Sequence, residues 1–140
     1  MRISLPEQKK WVHDSPMDVR WGDMDKLGHV NNTVYFRYME TARVEWLHGL
    51  PQSPYSEGRG AVVVNAFCNF VRQIEYPARL VVKMYVSDPA RTAFETWYEI
   101  EYEGQPGVVY ATGGATVVWV DHVQRKAVEL PESLRALVQE

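Results

Sequence analysis

The chain has only one cysteine, Cys68, among its 140 residues. A single cysteine cannot form an internal disulfide, which excludes the disulfide-rich class of small domains and favours a reducing compartment. The net charge is −3 at pH 7, so no basic excess indicates a nucleic acid or an anionic membrane surface as a partner. The first residues lack the apolar segment of a signal peptide, and no apolar run approaches membrane-spanning length. We therefore predict a cytoplasmic protein.

Hydrophobic residues make up 46% of the chain, enough for one core, and the length is short for two ordinary domains. We predict one domain over residues 1–140. Apolar and polar residues alternate in four stretches, as in strands with one buried face, which start near Gly60, Leu80, Phe94 and Val108. A shorter strand is predicted over residues 17–21. Residues 1–12 are predicted to form a loosely held arm and residues 131–140 a short helix.

Between Val34 and Trp46 the apolar residues recur at spacings of three and four. This periodicity predicts an amphipathic helix of about seventeen residues. The pair Asn31-Asn32 stands where an N-cap is needed, and Gly49 stands where a helix ends. Such a helix is about 25 Å long at 1.5 Å per residue, enough to cross several strands. The pattern therefore predicts an α+β domain, in which an antiparallel sheet packs against one long helix.

A loop that carries Asp23 and Asp25 leads into this helix. The free N–H groups at a helix start attract negative charge. A carboxylate beside such a helix end is suited to acyl transfer, because it can act as a nucleophile or general base while the N–H groups hold an oxyanion. Asp25 could also simply cap a turn, since Asp-x-x-Gly is common in loops. Asp23 is better explained as a structural acceptor in the loop than as a second catalytic acid.

A metal site would have to use Asp23, Asp25 and His29, and no further His or Cys stands at ligand spacing. The calcium loop of EF-hands does not fit, because Leu27 and Val34 occupy two of its ligand positions. We predict neither a metal nor an organic cofactor.

The segment from Arg20 to Arg43 resembles the signature of the hot-dog-fold acyl-CoA thioesterases, in the group typified by 4-hydroxybenzoyl-CoA thioesterase. The shared elements are an aromatic residue and Gly before Asp-x-Asp, then Gly-His-Val-Asn-Asn, an aromatic-rich helix start and Glu-x-Ala-Arg. In this chain they are Trp21 to Asp25, Gly28 to Asn32, Tyr35 to Tyr38 and Glu40 to Arg43. Further similar stretches are Phe70–Arg72, Tyr76–Arg79, Arg91–Phe94 and Val118–Asp121. The resemblance spans nearly the whole chain and implies the hot-dog fold, an antiparallel β-sheet wrapped around one long central α-helix.

The resemblance implies hydrolysis of an acyl-CoA thioester to a carboxylic acid and free CoA. The second Asp of Asp-x-Asp is the family's catalytic carboxylate, which carries onto Asp25. The N–H that polarises the thioester carbonyl comes from the first helical turn, at about Asn32. The carbonyl would lie against the N–H groups of Asn31 and Asn32, which makes Asn31 a candidate substrate-binding residue. His29 could line the thioester pocket or satisfy loop backbone groups. Tyr35 is a candidate substrate-binding residue, although its place among the apolar helix positions favours the core first.

CoA carries phosphates that need cations. The family's binding region near the turn between the third and fourth strands implies Arg91 as the best candidate, with Arg59, Arg72 and Arg79 also possible. In a different thioesterase subgroup the catalytic carboxylate lies on the helix, which makes Glu40 the rival nucleophile.

Two other classes of function stay open. A hot-dog hydratase or dehydratase would move a proton with a His and an acid; His29 and Glu40 supply the residue types but leave the Asp-x-Asp loop unexplained. A non-catalytic acyl-CoA-binding protein would need the same pocket without a functional Asp25. Thiol release from acyl-CoA distinguishes these classes.

Several strands have little polar character on their second face. The apolar residues on those faces are Val63, Phe67, Val71, Val109, Ala111, Val117 and Trp119. Because one helix covers only one side of a sheet, the remaining apolar surface predicts a homo-oligomer, a homodimer or homotetramer. In the resembling family, subunits pair edge to edge and the active site lies at that interface. Gly113-Gly114 within the last strand predicts a bulge or a close backbone approach.

Overall fold

The computed structural model describes residues 2–139 and shows an antiparallel sheet with one long helix against it. The strands are β1 (Lys10–Asp18), β2 (Arg59–Phe70), β3 (Arg79–Ser87), β4 (Ala93–Tyr102), β5 (Val109–Asp121) and the short β6 (Lys126–Ala127). The helices are α1 (Asn32–His48) and α2 (Glu132–Gln139), and Trp21–Asp23 forms one 3₁₀ turn. The strand order is β1-β3-β4-β5-β2, with β6 paired to β5. The predicted α+β hot-dog architecture is confirmed.

Helix α1 has the 17 residues that the apolar spacing predicts. Its buried face carries Tyr35, Tyr38, Met39, Ala42, Trp46 and Leu47. This face packs on the inward side chains of β3, β4 and β5, which form one core with it: Leu80, Val82, Met84, Val86, Phe94, Tyr98, Ile100, Ala111, Ala115, Val117 and Trp119. Strands β3 and β4 alternate between buried and partly exposed positions over most of their length, as predicted for strands with one covered face.

The first strand begins earlier than the sequence predicts. Residues 10–12 belong to β1 rather than to a loose arm, and Lys10 pairs with Val86 of β3. The register shifts between Trp11 and His13, and this bulge breaks the alternation by which a strand is recognised. The predicted strand over residues 17–21 is therefore only the end of β1, followed by the 3₁₀ turn. Met1 lies outside the described residues.

The predicted C-terminal helix is present as α2, which buries Leu134 and Val138. Glu140, the last residue of that predicted helix, lies outside the described part of the chain.

The uncovered apolar surface lies only partly where the sequence predicts it, because Val63 and Val71 are exposed as expected. Ala111, Val117 and Trp119 were expected on an open second face of the last strand, but they lie beneath α1 and are at most 1% exposed. Exposed apolar side chains are concentrated instead on β2, where Val62, Val63 and Val64 are exposed. Because β2 is the last strand in the sheet order, this exposed apolar surface lies at a sheet edge.

The glycine pair of β5 marks a close approach on both sides of the sheet. A Cβ on Gly113 would meet the sulfur of Met39 from α1 and would lie 2.8 Å from the carbonyl oxygen of Phe67. A Cβ on Gly114 would lie 2.6 Å from the ring of Phe67 and 2.9 Å from the ring of Trp97. Any larger residue must displace these neighbours, which explains why glycine stands within a long strand.

Gly113→Ala is therefore expected to destabilise the protein by about 1–3 kcal/mol, as inserting an extra methyl into a packed site does. Gly104→Ala is the matched control, because a Cβ at that hairpin position has no neighbour within 4 Å. Urea unfolding of both variants measures the difference. A Gly113→Ala variant as stable as the control would contradict the close packing.

Candidate active site

The residues between β1 and α1 form a tight hairpin. The N–H of Asn31 donates to the carbonyl of Asp23 at 2.9 Å, and the N–H of Asp25 donates to the carbonyl of His29 at 2.7 Å. Gly28 turns the chain with φ of +85°, a left-handed conformation that favours glycine. The hairpin therefore brings Asp25 beside the segment from which α1 starts.

Asp25 is held by one carboxylate oxygen. Its Oδ1 accepts hydrogen bonds from the N–H groups of Leu27 at 2.8 Å and His29 at 3.2 Å. Within residues 2–139, no group donates to Oδ2, and the side chain is half-buried. Asp25 therefore does cap the turn, as the sequence allowed, but it uses only Oδ1 to do so.

Asp23 links the hairpin to α1. Its Oδ2 accepts from the N–H of Arg20 at 2.9 Å and from the hydroxyl of Tyr38 at 2.8 Å. Burial, and next the hydrogen bond to Asp23, raise the pKa of Tyr38, so its phenol stays protonated as a donor. These contacts match the structural role predicted for Asp23. Sequence reasoning missed the hydrogen bond from Tyr38 to Asp23, because Tyr38 was counted only among the regularly spaced apolar residues of the helix.

The two asparagines at the helix start have different positions. Asn31 is the N-cap, and its Oδ1 accepts from the N–H and the hydroxyl of Thr33 at 2.9 Å and 2.8 Å. Asn32 is the first helical residue, so its N–H is one of those with no acceptor inside the helix. Only Asn31 caps the helix, and its own N–H already donates to the carbonyl of Asp23, so it does not suit the predicted role of oxyanion donor. Asn32 is exposed and follows the Asp25 hairpin directly in the chain.

His29 and Tyr35 join this hairpin to the loop between β2 and β3. His29 Nε2 lies 3.4 Å from Glu75 Oε1. The Tyr35 hydroxyl accepts from the N–H of Ile74 at 3.2 Å and donates to the carbonyl of Arg72 at 3.4 Å. Burial raises the pKa of Tyr35. Both hydrogen bonds of this hydroxyl are to main-chain groups, so Tyr35 fixes the loop after β2 against the start of α1.

Arg91 is not near Asp25 in this chain. The start of β3 lies at the Asp25 end, because the N–H of Val30 donates to the carbonyl of Ile74 at 2.8 Å. Arg91 follows the other end of β3, and the nine residues of that strand extend about 30 Å. There its guanidinium lies 3.8 Å from Glu129. A protomer therefore keeps Arg91 and Asp25 at opposite ends of the sheet.

Two other candidate arginines lie at the Asp25 end. Arg79 is held between Asp18 at 3.2 Å and Glu103 at 3.4 Å. Arg72, two residues after β2, is exposed and has no carboxylate within 4 Å in the described part of the chain. Its carbonyl accepts the hydrogen bond from Tyr35, which places Arg72 close to the hairpin. Arg59, at the start of β2, lies 3.6 Å from Asp121 instead.

A groove of about 1000 Å³ runs along α1 between the helix and β2. Asp23 and Thr33 line its end at the hairpin, and Leu47 and Tyr55 line its far end. Asp25, His29 and Asn32 do not line it, but Thr33, the residue after Asn32, and Asp23, two residues before Asp25, do. Its size is that of a small-molecule site. The groove therefore starts next to the Asp25 hairpin and continues for most of the helix.

Other site types find little support within residues 2–139. No three His, Cys, Asp or Glu side chains converge there as metal ligands. Neither helix in that range is long and apolar enough to cross a membrane. Cys68 is half-buried, and burial raises the pKa of its thiol to about 12, which makes it a poor nucleophile.

Comparison with known proteins defines the class. The Thioesterase-like superfamily model matches residues 19–138. The PA2801 protein of Pseudomonas aeruginosa, named as a candidate thioesterase, is 33% identical, with a TM-score of 0.86 over 91% of this chain and 98% of that chain. XC229 of Xanthomonas campestris, named as a candidate acyl-CoA thioesterase, is 33% identical, with a TM-score of 0.74 over 80% of this chain and 95% of that chain.

The name of a third relative gives acyl carrier protein rather than CoA as the carrier of the acyl group. The chloroplastic acyl-acyl carrier protein thioesterase ATL2 of Arabidopsis thaliana is 28% identical over 129 residues, 89% of this chain and 66% of that protein. The chain belongs to the Thioesterase-like superfamily. It is a thioester hydrolase of the hot-dog class.

Proposed function

We propose that this protein hydrolyses acyl-CoA thioesters with Asp25 as the catalytic carboxylate and the Asn32 N–H as the oxyanion donor. One observation carries the proposal: the hairpin fixes Asp25 by Oδ1, leaves Oδ2 free, and leads directly into a helix start whose first N–H has no intrahelical acceptor. A nucleophile and a charge-stabilising donor in one short segment are the two parts that acyl transfer needs.

The chemistry follows from this arrangement. The carbonyl oxygen of the thioester accepts a hydrogen bond from the Asn32 N–H, where the helix dipole favours developing negative charge. Asp25 Oδ2 then either attacks the carbonyl carbon or takes a proton from water that attacks it. In the first route the C–S bond breaks, CoA leaves as a thiolate, and water cleaves the mixed anhydride. Both routes give a carboxylic acid and CoA.

The contacts of Glu40 support Asp25 as the carboxylate. Glu40 is exposed on α1 and lies 3.2 Å from the guanidinium of Arg37. It stands eight residues after Asn32, so it lies about 12 Å further along the helix axis. A carboxylate there is distant from the N–H groups that stabilise the oxyanion.

The two residues that the rival hydratase mechanism would use, His29 and Glu40, each have another partner. His29 is paired with Glu75, not with Glu40. Thiol release from a panel of acyl-CoAs tests the proposal, with enoyl-CoA hydration assayed in parallel. Acyl-acyl carrier protein substrates form a second arm, because one relative carries that name. Absence of thiol release from every thioester, with tight acyl-CoA binding, would favour a binding protein instead.

We also propose that Arg72 contacts the CoA phosphates, because it is an exposed cation without a carboxylate partner at the Asp25 end of residues 2–139. Arg91 could take part only if another subunit supplied it, since it stands at the opposite end of its own sheet. Phosphate binding by either residue is a charge interaction that salt weakens.

A homo-oligomer formed along β2 is the assembly that we propose. The outer edge of β2 is unpaired in the described protomer, and Val62, Val63 and Val64 expose apolar surface along it. Long apolar edge strands attract further strands. A second copy could pair there and close the open side of the groove, which would place the site at the subunit boundary.

This assembly predicts at least a dimer in sedimentation equilibrium at micromolar concentration. Val64→Lys should shift the protein towards monomer, because a charge on an edge strand opposes pairing. Val123→Lys is the matched control, since Val123 is 82% exposed in the turn after β5. A wild-type protein that is monomeric and fully active would refute the interfacial site.

A further inference from the structure

A chain of hydrogen bonds runs from the groove into the core. Arg43 Nη1 donates to the Tyr98 hydroxyl at 3.0 Å, which donates to Thr96 Oγ1 at 2.7 Å, and Thr96 donates to the carbonyl of Ala115 at 2.8 Å. Tyr98 and Thr96 are fully buried. Both hydroxyl hydrogens therefore point away from Arg43, so the network fixes the guanidinium without neutralising it.

The charge of Arg43 has no counterion within residues 2–139. The side chain is half-buried, and no carboxylate of this range lies within 4 Å of it. The neighbouring acids of α1 are engaged elsewhere: Glu40 with Arg37, and Glu45 with His13 and Ser15. Burial raises the pKa of Tyr98 more than the nearby guanidinium lowers it, so the phenol is neutral. A partly desolvated cation with a neutral partner attracts an anion.

The position of Arg43 indicates which part of a substrate it would meet. Arg43, Tyr98 and Ala115 line the groove, together with the apolar Val44 and Leu47. Arg43 stands eleven residues after Asn32, about 16 Å along the helix axis, and helical side chains lean back towards the N-terminus. An acyl group whose carbonyl lies at the Asn32 N–H would reach the guanidinium with its far end.

We propose that Arg43 is a specificity residue that binds a carboxylate at the far end of the acyl group. The preferred substrates are then CoA monothioesters of dicarboxylic acids rather than plain fatty acyl-CoAs. The planar guanidinium has five N–H donors and uses one of them for Tyr98. Two of the remaining N–H groups can donate side by side to the two oxygens of a carboxylate. The methylene part of such a substrate would lie against Val44 and Leu47. The inference rests on the proposed thioesterase function and names its substrate class.

The test compares suberoyl-CoA with octanoyl-CoA, and sebacoyl-CoA with decanoyl-CoA, pairs that differ only in the terminal carboxylate. The wild type should prefer the dicarboxylic member of each pair. Arg43→Met should lower kcat/KM for that member by about 10- to 100-fold, through a higher KM, because a charge-assisted fork is lost. Hydrolysis of octanoyl-CoA should stay unchanged. Arg43→Lys, which keeps the charge without the fork, should restore part of the preference.

Arg37→Met is the matched control, because Arg37 lines the same groove but is exposed and paired with Glu40. It should leave the preference between paired substrates intact. Equal losses on both members in Arg43→Met, or a wild type without preference, would overturn the specificity role while the thioesterase function stands. Dissociation of the oligomer in Arg43→Met would overturn it too, since Arg43 would then pair with a partner subunit. Absence of hydrolysis of any thioester would instead refute the proposed function itself.

Discussion

Asp25→Asn is expected to lower turnover by at least about a hundredfold, the range for a lost acid–base group. Asparagine keeps an oxygen that can accept from the N–H groups of Leu27 and His29, so the hairpin retains both hydrogen bonds. The second oxygen becomes an amide NH₂, which can neither attack a carbonyl nor take a proton from water. Activity should therefore fall while the fold survives. Steady-state thiol release and thermal melts measure the two effects separately.

Glu40→Gln is the matched control for this variant. Like Asp25→Asn, it replaces a carboxylate by an amide, but at a residue of α1 whose ion pair with Arg37 is exposed. Surface pairs of this kind contribute little to stability. We expect Glu40→Gln to retain most of its activity. The opposite result, a nearly inactive Glu40→Gln with an active Asp25→Asn, would move the catalytic carboxylate to the helix.

The elements that the sequence predicted well are those whose signals are local. The bounds of α1 follow from a cap at Asn31, a terminating Gly49 and apolar spacing in between, all within about twenty residues of chain. Strands β3 and β4 alternate because one of their faces is covered over most of the length. In both cases neighbouring residues carry enough information to define the element.

The errors arise where the register shifts. A bulge near Trp11 hid the first part of β1, and another shift between Val63 and Asn65 changes which side chains of β2 point inward. One inserted residue moves every later side chain to the other face. Sequence alternation alone therefore could not tell that Val64 is exposed. On β5 the cause is different: the alternation puts Val117 and Trp119 on one face, but it does not say which face α1 covers.

The candidate site likewise has a part that local sequence could predict and a part that it could not. Asp25 and Asn32 are seven residues apart, so a local motif could predict that they belong together. Arg91 and Asp25 are far apart in the chain, and which sheet end each occupies depends on strand direction. Because β3 begins at the hairpin end, the turn that follows it lies at the other end. The resemblance implied a phosphate ligand at Arg91 without stating which subunit would supply it.

Asn32→Pro is expected to lower turnover by about 10²–10³-fold, the usual effect of removing one oxyanion donor. Proline deletes the N–H and is well tolerated at the first helical position, where that N–H has no intrahelical acceptor. The preceding residue also suits it, because Asn31 has φ of −60° and ψ of 138°, within the extended region that precedes proline. The fold should therefore survive, which thermal melts would verify.

Asn32→Ala is the decisive comparison, since it keeps the main-chain N–H and removes only an exposed side chain that does not cap the helix. Its activity and stability should stay close to those of the wild type. Asn31→Ala should instead lose about 0.5–2 kcal/mol of stability, because its Oδ1 caps the N–H of Thr33. If the folded Asn32→Pro and Asn32→Ala variants hydrolysed thioesters equally well, the Asn32 N–H could not be the donor. The oxyanion would then have to be held by another group, and the Asp25 hairpin would need a different partner.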